Sequence, residues 1–225
     1  FSTVSLINAA NEATGFELQI SKGFSSNGRN NGGLLSPDPG LLNDFAVGTA
    51  TEDYFFVDGA SGNGSFKIKN LNRNRAYKFY VFGSRDETAE RSGYYSFTGA
   101  NGYHGTHQSS GTGVGQNANH NNNNILETEL LFPDHKGEIM FQMAVKTGGF
   151  AYINVMKIEE YTNVDPLFVK QNFYIDLGRN DGNNGNKTTI DNNGNYWNAF
   201  DEDGFDVSAG KKLTLVNSVN NETQV

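Results

Sequence analysis

The sequence has no cysteine, only four prolines and a single tryptophan among its 225 residues. Without cysteine there is no disulfide framework, and cysteine usage gives no information about the redox compartment of the protein. No apolar stretch approaches the roughly 20 residues that a membrane-spanning helix needs, so we predict no membrane insertion. Helical periodicity is also nearly missing, and only residues 41–46 have the pattern of a short helical turn.

Basic residues are scarce relative to acidic ones. The chain has 17 Lys and Arg against 25 Asp and Glu, which gives a formal net charge of −8 and a pI of about 5.0. A nucleic-acid surface needs clustered Lys and Arg to meet phosphates, so this charge argues against nucleic acid as a partner. An acidic surface is compatible with a divalent cation or with neutral glycans.

The abundant residues are those of a turn-rich β protein, with 27 Gly, 17 Phe and 10 Tyr. In residues 139–146, side chains that face one way alternate with side chains that face the other, as in a strand. Residues 77–82 and 151–156 have the pattern of central strands that are buried on both faces. Further strands are predicted near residues 3–8, 15–20, 53–57, 93–98, 126–131, 172–177 and 212–217. Gly, Asn, Asp and Ser separate these segments, as turn-forming residues do. We therefore predict an all-β fold, an antiparallel two-sheet sandwich.

Two segments are predicted to be long loops. Residues 99–124 contain three of the four histidines and a run of asparagines, and residues 178–195 consist almost wholly of Gly, Asn, Asp and Thr. Long loops in compact domains are usually functional or disordered. Residues 162–171 have the composition of a connector between two units.

The end of the sequence repeats its beginning. Residues 213–223 align with residues 4–14 without a gap, at an offset of 213 − 4 = 209 residues. Four positions are identical: Leu6 and Leu215, Asn8 and Asn217, Asn11 and Asn220, Thr14 and Thr223. A fixed period of this kind is typical of repeat arrays, and a chance match in an Asn-rich chain is the alternative.

The strongest indication of catalysis is Ser84. A hydrolase serine needs a base and an oxyanion hole, normally at a sharp turn from strand to helix. No Gly-x-Ser-x-Gly or Gly-Asp-Ser motif is present, and Ser84 is predicted at the end of a strand. We therefore predict that the protein is not an enzyme. The neighbouring Arg85 and Arg91 are predicted to form structural bonds to a carboxylate or to loop carbonyls, which suits a planar guanidinium.

Hard oxygen ligands in and before the second predicted loop offer a calcium site. The candidate ligands are Asp176, Asn180, Asp181 and Asp191. The spacing of an EF-hand is missing, and Asp and Asn are also good turn formers, so a loop without metal is the alternative. In the first predicted loop, His104, His107 and His120 could bind a transition metal, but solvated loop histidines are the expectation there.

Aromatic and imidazole side chains offer contacts to sugars, whose C–H faces suit aromatic platforms. The candidate glycan-binding residues are Tyr103, His104, His107 and Trp197. The alternative for Trp197 is a place in the hydrophobic core, where a single tryptophan beside a strand is usually found.

Several motifs in combination resemble one known module. They are Phe82-Gly83-Ser84-Arg85, Tyr94-Tyr95-Ser96-Phe97-Thr98-Gly99-Ala100-Asn101, Gly148-Gly149-Phe150-Ala151-Tyr152-Ile153-Asn154, and Ile175-Asp176-Leu177-Gly178 with Tyr196-Trp197-Asn198. The chain resembles the Gly/Asn-rich, galactose-binding-like β-sandwich module of large secreted bacterial surface proteins, which also occurs beside SGNH-type esterase domains. The resemblance implies a jelly-roll type of sandwich and an extracellular location at the bacterial cell surface.

The order of the motifs departs from that family. The segments at residues 175–178 and 196–198 come first in the usual module, and here they come last. The resemblance therefore implies that residues 1–161 are the C-terminal part of one repeat and that residues 172–225 are the N-terminal part of the next. The second part would complete the same or a neighbouring sandwich, by circular permutation or by strand exchange.

Two functions fit these observations. The first is a structural or adhesive repeat unit of an extracellular bacterial surface protein, whose partners are neighbouring copies that join by β-strand complementation. The alternative is a non-catalytic carbohydrate-binding module of a secreted polysaccharide-active enzyme, with glycans as partners. Calcium is the only cofactor that the sequence suggests.

Overall fold

The computed structural model describes residues 3–162, 169–179 and 189–202. Strands dominate this part of the chain and form an all-β antiparallel sandwich, which confirms the predicted fold class. Within these residues, no helix has the length and apolar character needed to cross a membrane. Asn180, Asp181 and both the strand and the repeat copy predicted after residue 211 lie outside the described residues.

The strands are short to medium in length and follow one another with few helical interruptions. In chain order they are β1 (Thr3–Ile7), β2 (Ala13–Lys22), β3 (Ser25–Asn27), β4 (Tyr54–Asp58), β5 (Asn63–Lys69), β6 (Ala76–Phe82), β7 (Arg91–Thr98), β8 (Gly102–Gly115), β9 (Ala118–His120), β10 (Leu126–Glu127), β11 (Ile139–Thr147), β12 (Phe150–Ile153), β13 (Val155–Tyr161), β14 (Val169–Arg179) and β15 (Trp197–Glu202).

Two large sheets form the layers of the sandwich, and a smaller sheet adjoins them. The seven-stranded sheet has the order β1-β2-β5-β11-β7-β8-β9, and the five-stranded sheet has the order β10-β6-β13-β14-β15. The three-stranded sheet has the order β12-β4-β3. Neighbouring strands are antiparallel except β14 and β15, which pair in parallel. β14 begins at Val169, within the connector predicted at residues 162–171, and β14 and β15 extend the same five-stranded sheet to which β6 and β13 belong.

Aromatic side chains fill the space between the two large sheets. The rings of Phe79 on β6 and Phe97 on β7 lie 4.7 Å apart across the sandwich. Within the seven-stranded sheet, Phe66 and Phe141 stack at 4.6 Å. All four side chains are essentially inaccessible to solvent. Burial of such rings removes roughly 150–250 Å² each from water, so these residues contribute strongly to the hydrophobic core.

The predicted strand at residues 151–156 is two strands in different sheets. Asn154 separates β12 from β13, and its side chain is fully buried. Its Oδ1 accepts the Ser84 N–H at 2.7 Å, and its Nδ2 donates to the carbonyls of Thr51 at 2.9 Å and Asp53 at 2.7 Å. The amide therefore fixes the corner at which the chain passes from the small sheet to the five-stranded sheet.

The prediction of a long loop at residues 99–124 is wrong for most of its length. Residues 102–115 form β8, which pairs with β7 from Thr98 and Gly102 to Arg91 and Ser110, and β9 pairs with β8 beyond it. The segment has few of the β-branched and aromatic residues that mark strands. Pairing with the regular strand β7 overrides this weak local preference.

The predicted strand at residues 126–131 is also shorter than expected. Only Leu126 and Glu127 form β10, and Leu131 makes an isolated bridge to Tyr77. Between them the Thr128 hydroxyl accepts the Phe79 N–H at 3.0 Å. The Thr128 side chain thus replaces one backbone carbonyl that would accept this N–H in a regular pair of strands.

Short helices cover the outer face of the five-stranded sheet. They are α1 (Pro39–Leu42), α2 (Gly48–Thr51) and 3₁₀ turns at Arg29–Asn31 and Asn43–Phe45, in agreement with the helical turn predicted at residues 41–46. Asp38 caps α1 by accepting the Gly40 N–H at 2.8 Å, and Pro39 occupies the first helical position. Below these helices lies a second apolar cluster that contains Leu42, Phe45, Tyr174 and Trp197.

Candidate functional site

A groove of about 520 Å³ opens between β8 and the segment that leads into β10. It lies where the edges of the two large sheets face each other, because β10 is an edge strand and β8 is next to the edge strand β9. Two of the predicted glycan-binding residues, Tyr103 and His107, line it together with Gln108, Asn124 and Glu127. The volume is in the range of small-ligand sites.

Tyr103 is the aromatic platform of the groove. Its ring packs against Phe97 of the core at 6.4 Å and remains partly exposed. A Cβ atom at residue 105 would lie 2.7 Å from the Tyr103 hydroxyl oxygen, so a larger residue there would displace the ring from its position across β8. The ring is therefore fixed by the core on one side and offered to the groove on the other.

The electrostatic environment of the groove is acidic. Burial raises the pKa of Tyr103, and the carboxylates of Glu129 and Glu127 raise it further. Its hydroxyl therefore stays a hydrogen-bond donor at neutral pH. Lys78 forms an ion pair with Glu127, which is half exposed, and so partly balances this charge.

His107 forms the inner wall of the groove and is almost fully buried. Its Nε2 lies 3.2 Å from the Gly83 nitrogen, 3.1 Å from the Gly83 carbonyl oxygen and 3.1 Å from Asn121 Nδ2, and the tautomer of the ring sets whether Nε2 donates or accepts. Burial lowers the pKa of His107 to about 4, with a partial opposite effect from the backbone bond to Gly83. The prediction of a solvated loop histidine is therefore wrong for His107, because β8 carries it into the sandwich.

His104 lies three residues before His107 on β8 and is exposed. It pairs with Ser96 and is not among the residues that line the groove. His120 lies on β9, 3.6 Å from a carboxylate oxygen of Asp86. The three histidines that were predicted in one loop therefore have different surroundings: His104 is exposed, His107 is buried and His120 lies beside Asp86. The reason is that the segment forms two strands, β8 and β9.

Asn121 organises the rim of the groove, and sequence analysis did not single it out. Its Nδ2 donates to the carbonyls of Gly83 at 3.0 Å and Asn124 at 2.7 Å, and its Oδ1 accepts the Asn124 N–H at 2.8 Å. Asn124 Nδ2 in turn donates to the Val114 carbonyl at 2.9 Å. Nothing in the run of four asparagines distinguishes the one buried side chain from the others.

Ser84 is fully buried at the end of β6. Its Oγ forms no hydrogen bond with any residue that the structure describes, while its N–H donates to Asn154. The imidazole Nε2 of His107 lies within hydrogen-bond distance of Gly83 and Asn121. In this geometry the hydroxyl has neither a base nor access to a substrate.

The two arginines that were predicted to be structural lie against aromatic rings. Arg91 forms an ion pair with Glu87 at 3.1 Å, and its guanidinium carbon lies 4.5 Å from the centre of the Phe150 ring. It also donates to the Tyr152 hydroxyl. Arg85 lies over the Tyr54 ring at 5.9 Å. Cation–π contacts of this kind tie the three-stranded sheet to the segments around it.

Trp197 lies in the core and not on a surface that a sugar could reach. Only 1% of its surface is exposed, and its ring lies 5.1 Å from that of Tyr174. Its Nε1 donates to Asp191 Oδ2 at 2.8 Å. The alternative of a place in the hydrophobic core is therefore the one that the structure has, with the indole between β15 and the short helices.

Two of the four candidate calcium ligands lie in the described part of the chain. Asp176 is fully buried in β14. Asp191 lies in a turn, where its Oδ1 accepts the N–H groups of Asn193 and Asn195, each at 2.8 Å. Among the residues that the structure describes, no group of three His, Cys, Asp or Glu side chains is placed to hold a metal ion. The calcium site, which includes Asn180 and Asp181, stays a prediction.

No protein-family model matches this chain, and no curated protein matches it. Among solved structures, it is similar to the exo-β-1,3-galactanase of Phanerochaete chrysosporium, whose crystal structure was determined with galactose. The identity is 14% and the TM-score is 0.31, over 61% of this chain and 29% of the galactanase chain. The chain thus spans less than a third of the galactanase, and a likeness at this TM-score carries no argument about fold or activity.

Proposed function

We propose that this chain is a non-enzymatic, adhesive repeat unit of an extracellular bacterial surface protein, and that its groove binds a neutral glycan. The observation that carries the proposal is the groove itself, in which the Tyr103 ring lies beside amide and carboxylate side chains. An aromatic face with a few polar groups matches a sugar, which has an apolar C–H face and a rim of hydroxyls. The acidic surroundings disfavour a glycan that carries carboxylates or sulfates.

The non-enzymatic part of the proposal is supported by the state of the candidate nucleophile. Ser84 is buried with no hydrogen-bond partner for its Oγ among the described residues, and the His107 imidazole is within hydrogen-bond distance of Gly83 and Asn121. A nucleophilic serine needs its base within hydrogen-bond reach and a route to the substrate. The extracellular location is supported by the family resemblance of residues 82–101 and 148–154.

The glycan proposal is tested by binding of the protein to an array of neutral and acidic polysaccharides. We expect binding to neutral members, and we expect Tyr103→Ala to weaken the binding at least tenfold. Tyr94→Ala is the matched control. Tyr94 lies on β7 of the same seven-stranded sheet, is 53% exposed and does not line the groove. Equal loss in both variants, or binding to no neutral glycan, would contradict the proposal.

A second variant separates the groove from protein stability. Glu127 is exposed, so Glu127→Gln removes a charge without opening the core. We expect this variant to keep the melting temperature of the parent protein and to bind acidic glycans better than the parent does. Unchanged selectivity would show that the groove does not contact the glycan.

The alternative function, a carbohydrate-binding module of a secreted polysaccharide-active enzyme, uses the same groove. The two functions differ in what surrounds the unit in its polypeptide. Several copies in one polypeptide favour the repeat array, whereas one copy beside a catalytic domain favours the accessory module. Determination of the flanking sequence therefore distinguishes them.

Neighbouring copies are the partners that the repeat function needs, and we propose that they join by β-strand complementation. What supports this is the sequence repeat at residues 213–223 together with the places of β1 and β15, which are the end strands of the two large sheets within the described part of the chain. Size-exclusion chromatography with light scattering tests it. We expect a larger assembly for the full chain than for a variant that ends at Gly210, and equal masses would contradict strand complementation.

A further inference from the structure

The turn between β1 and β2 is held by the residues that recur 209 positions later. Leu6 is buried in the main core, with 1% of its surface exposed. Asn8 is also buried, and its Oδ1 accepts the N–H groups of Ala10 at 3.0 Å and Glu12 at 2.8 Å. Asparagine is suited to this role because its short amide bonds to the backbone two residues on.

The other two recurring positions have equally specific roles. Asn11 adopts a φ of 63°, a conformation that asparagine tolerates better than most residues, and its side chain is buried. Thr14 Oγ1 donates to the Leu6 carbonyl at 2.6 Å and accepts the Phe16 N–H at 3.1 Å. Each of the four identities between residues 4–14 and 213–223 therefore falls where the structure needs that residue type.

The positions that differ between the two segments are conservative where the side chain is buried, and Glu12, whose Oε2 accepts a hydrogen bond from Asn8 Nδ2 at 2.7 Å, corresponds to Asn221. The buried residues Val4 and Ile7 correspond to Leu213 and Val216, which are also aliphatic. The remaining differences lie at positions 5, 9, 10, 12 and 13, whose side chains are exposed or half-buried. Residues 213–223 thus have the sequence of this strand and turn where it contacts the core, and a different sequence where it faces water.

The place of β1 in the fold lies within reach of the second segment. The side chain of Asn198 accepts the Ile7 N–H at 2.9 Å and donates to the Ile7 carbonyl at 3.0 Å, and the Tyr196 N–H lies 3.4 Å from the Ala9 carbonyl. These contacts make β15 antiparallel to β1, so its end at Glu202 lies toward the start of β1. The ten residues 203–212 can span up to about 33 Å.

We propose that residues 213–223 are a second occupant of the β1 position, where they pair with β2 of the same chain in place of residues 4–14. β1 is an edge strand, so its exchange breaks one strand pairing and leaves the order of the other six strands intact. A short tether to β15 gives the second segment a high effective concentration at this edge. The fold thus has two interchangeable strands for one position.

The test uses the full chain with single and paired substitutions at one identical position. Leu6→Ala weakens the first occupant, Leu215→Ala weakens the second, and the double variant weakens both. Removal of a buried leucine side chain from the only available strand is expected to lower the melting temperature by about 10 °C. We expect that drop in the double variant, less than half of it for Leu6→Ala, and none for Leu215→Ala.

Hydrogen exchange measured by mass spectrometry identifies the occupant directly. In Leu6→Ala we expect residues 211–225 to gain protection while residues 3–7 lose it, with a monomeric mass by light scattering. If residues 211–225 exchange freely in Leu6→Ala, or if Leu6→Ala alone shows the full drop or fails to fold, the proposal is wrong. Protection that appears only in a dimer would assign the strand to a second copy and would also overturn it.

This inference goes beyond the proposed assembly of copies, because it places residues 213–223 on β2 of their own chain, and it is independent of glycan binding. Light scattering of the full chain measures assembly, whereas exchange at residues 211–225 measures occupancy of the β1 position. If the full chain is monomeric and the expected exchange pattern is seen, the proposal that copies assemble is wrong and the inference that residues 213–223 occupy the β1 position is supported. If the full chain assembles and the exchange pattern is missing, the assembly proposal is supported and the inference about residues 213–223 is wrong.

Discussion

The buried imidazole of His107 makes the stability of the protein depend on pH in a defined window. Burial lowers its pKa from 6.5 to about 4 in the folded protein, and the unfolded chain restores the ordinary value. Between these two values the unfolded state binds a proton that the folded state does not. The contribution of His107 to stability is therefore complete above pH 6.5 and is lost as the pH falls to about 4.

The magnitude follows from the size of the pKa change. One pH unit across this window corresponds to about 1.4 kcal/mol, so the whole window is worth about 3 kcal/mol. The variant His107→Gln lacks the titrating group and keeps a side chain that can accept the Gly83 N–H. We expect the difference in unfolding free energy between parent and variant to shrink by about 3 kcal/mol from pH 7 to pH 4.

Urea unfolding at several pH values measures this difference. Carboxylates titrate in the same range, but they are common to parent and variant and cancel in the difference. His104→Gln is the matched control, because His104 is exposed on the same strand, and its curve should parallel that of the parent. A difference between parent and His107→Gln that does not change with pH would refute the burial argument.

Three further predictions concern buried polar groups and metal. Asn154→Ala removes three buried hydrogen bonds and should cost about 3–5 kcal/mol in urea unfolding, against about 1 kcal/mol for the exposed Asn101→Ala. Ser84→Ala should change the unfolding free energy by less than about 0.5 kcal/mol, because the hydroxyl has no partner among the described residues; a large loss would reveal one. Calcium bound by the loop at residues 178–195 should raise the melting temperature and EDTA should lower it, and an unchanged value would contradict the calcium prediction.

Hydrophobic alternation was enough to predict the fold class. Residues 139–146 alternate as predicted, and in β11 Ile139, Phe141 and Met143 are buried in the core. The pattern works because a strand that is buried on one face must repeat every two residues. Residues 77–82 are likewise β6, but Lys78 and Tyr80 are only half-buried, so the prediction that this strand is buried on both faces is wrong for most of its length.

The candidate site was only partly predictable, because it depends on pairing between distant segments. Tyr103 and His107 were singled out, but their segment was expected to be a loop and its placement comes from β7. Asn121 and Asn154 determine the shape of the site through bonds to Gly83, Ser84 and Thr51, and no local pattern marks them. A buried asparagine has the same sequence signature as a turn asparagine until its partners are known.

The position of Trp197 gives the protein a built-in optical probe. The chain has one tryptophan, and its indole lies in the apolar cluster beside β1 with its Nε1 bonded to Asp191. Fluorescence excited selectively in the indole therefore reports on this corner, which Tyr174 shares, whereas Tyr77 and Tyr95 lie in the main core between the two large sheets. Detachment of β15 would shift the indole emission to longer wavelength before the tyrosine signal changes, so the order in which the two regions open can be followed without a label.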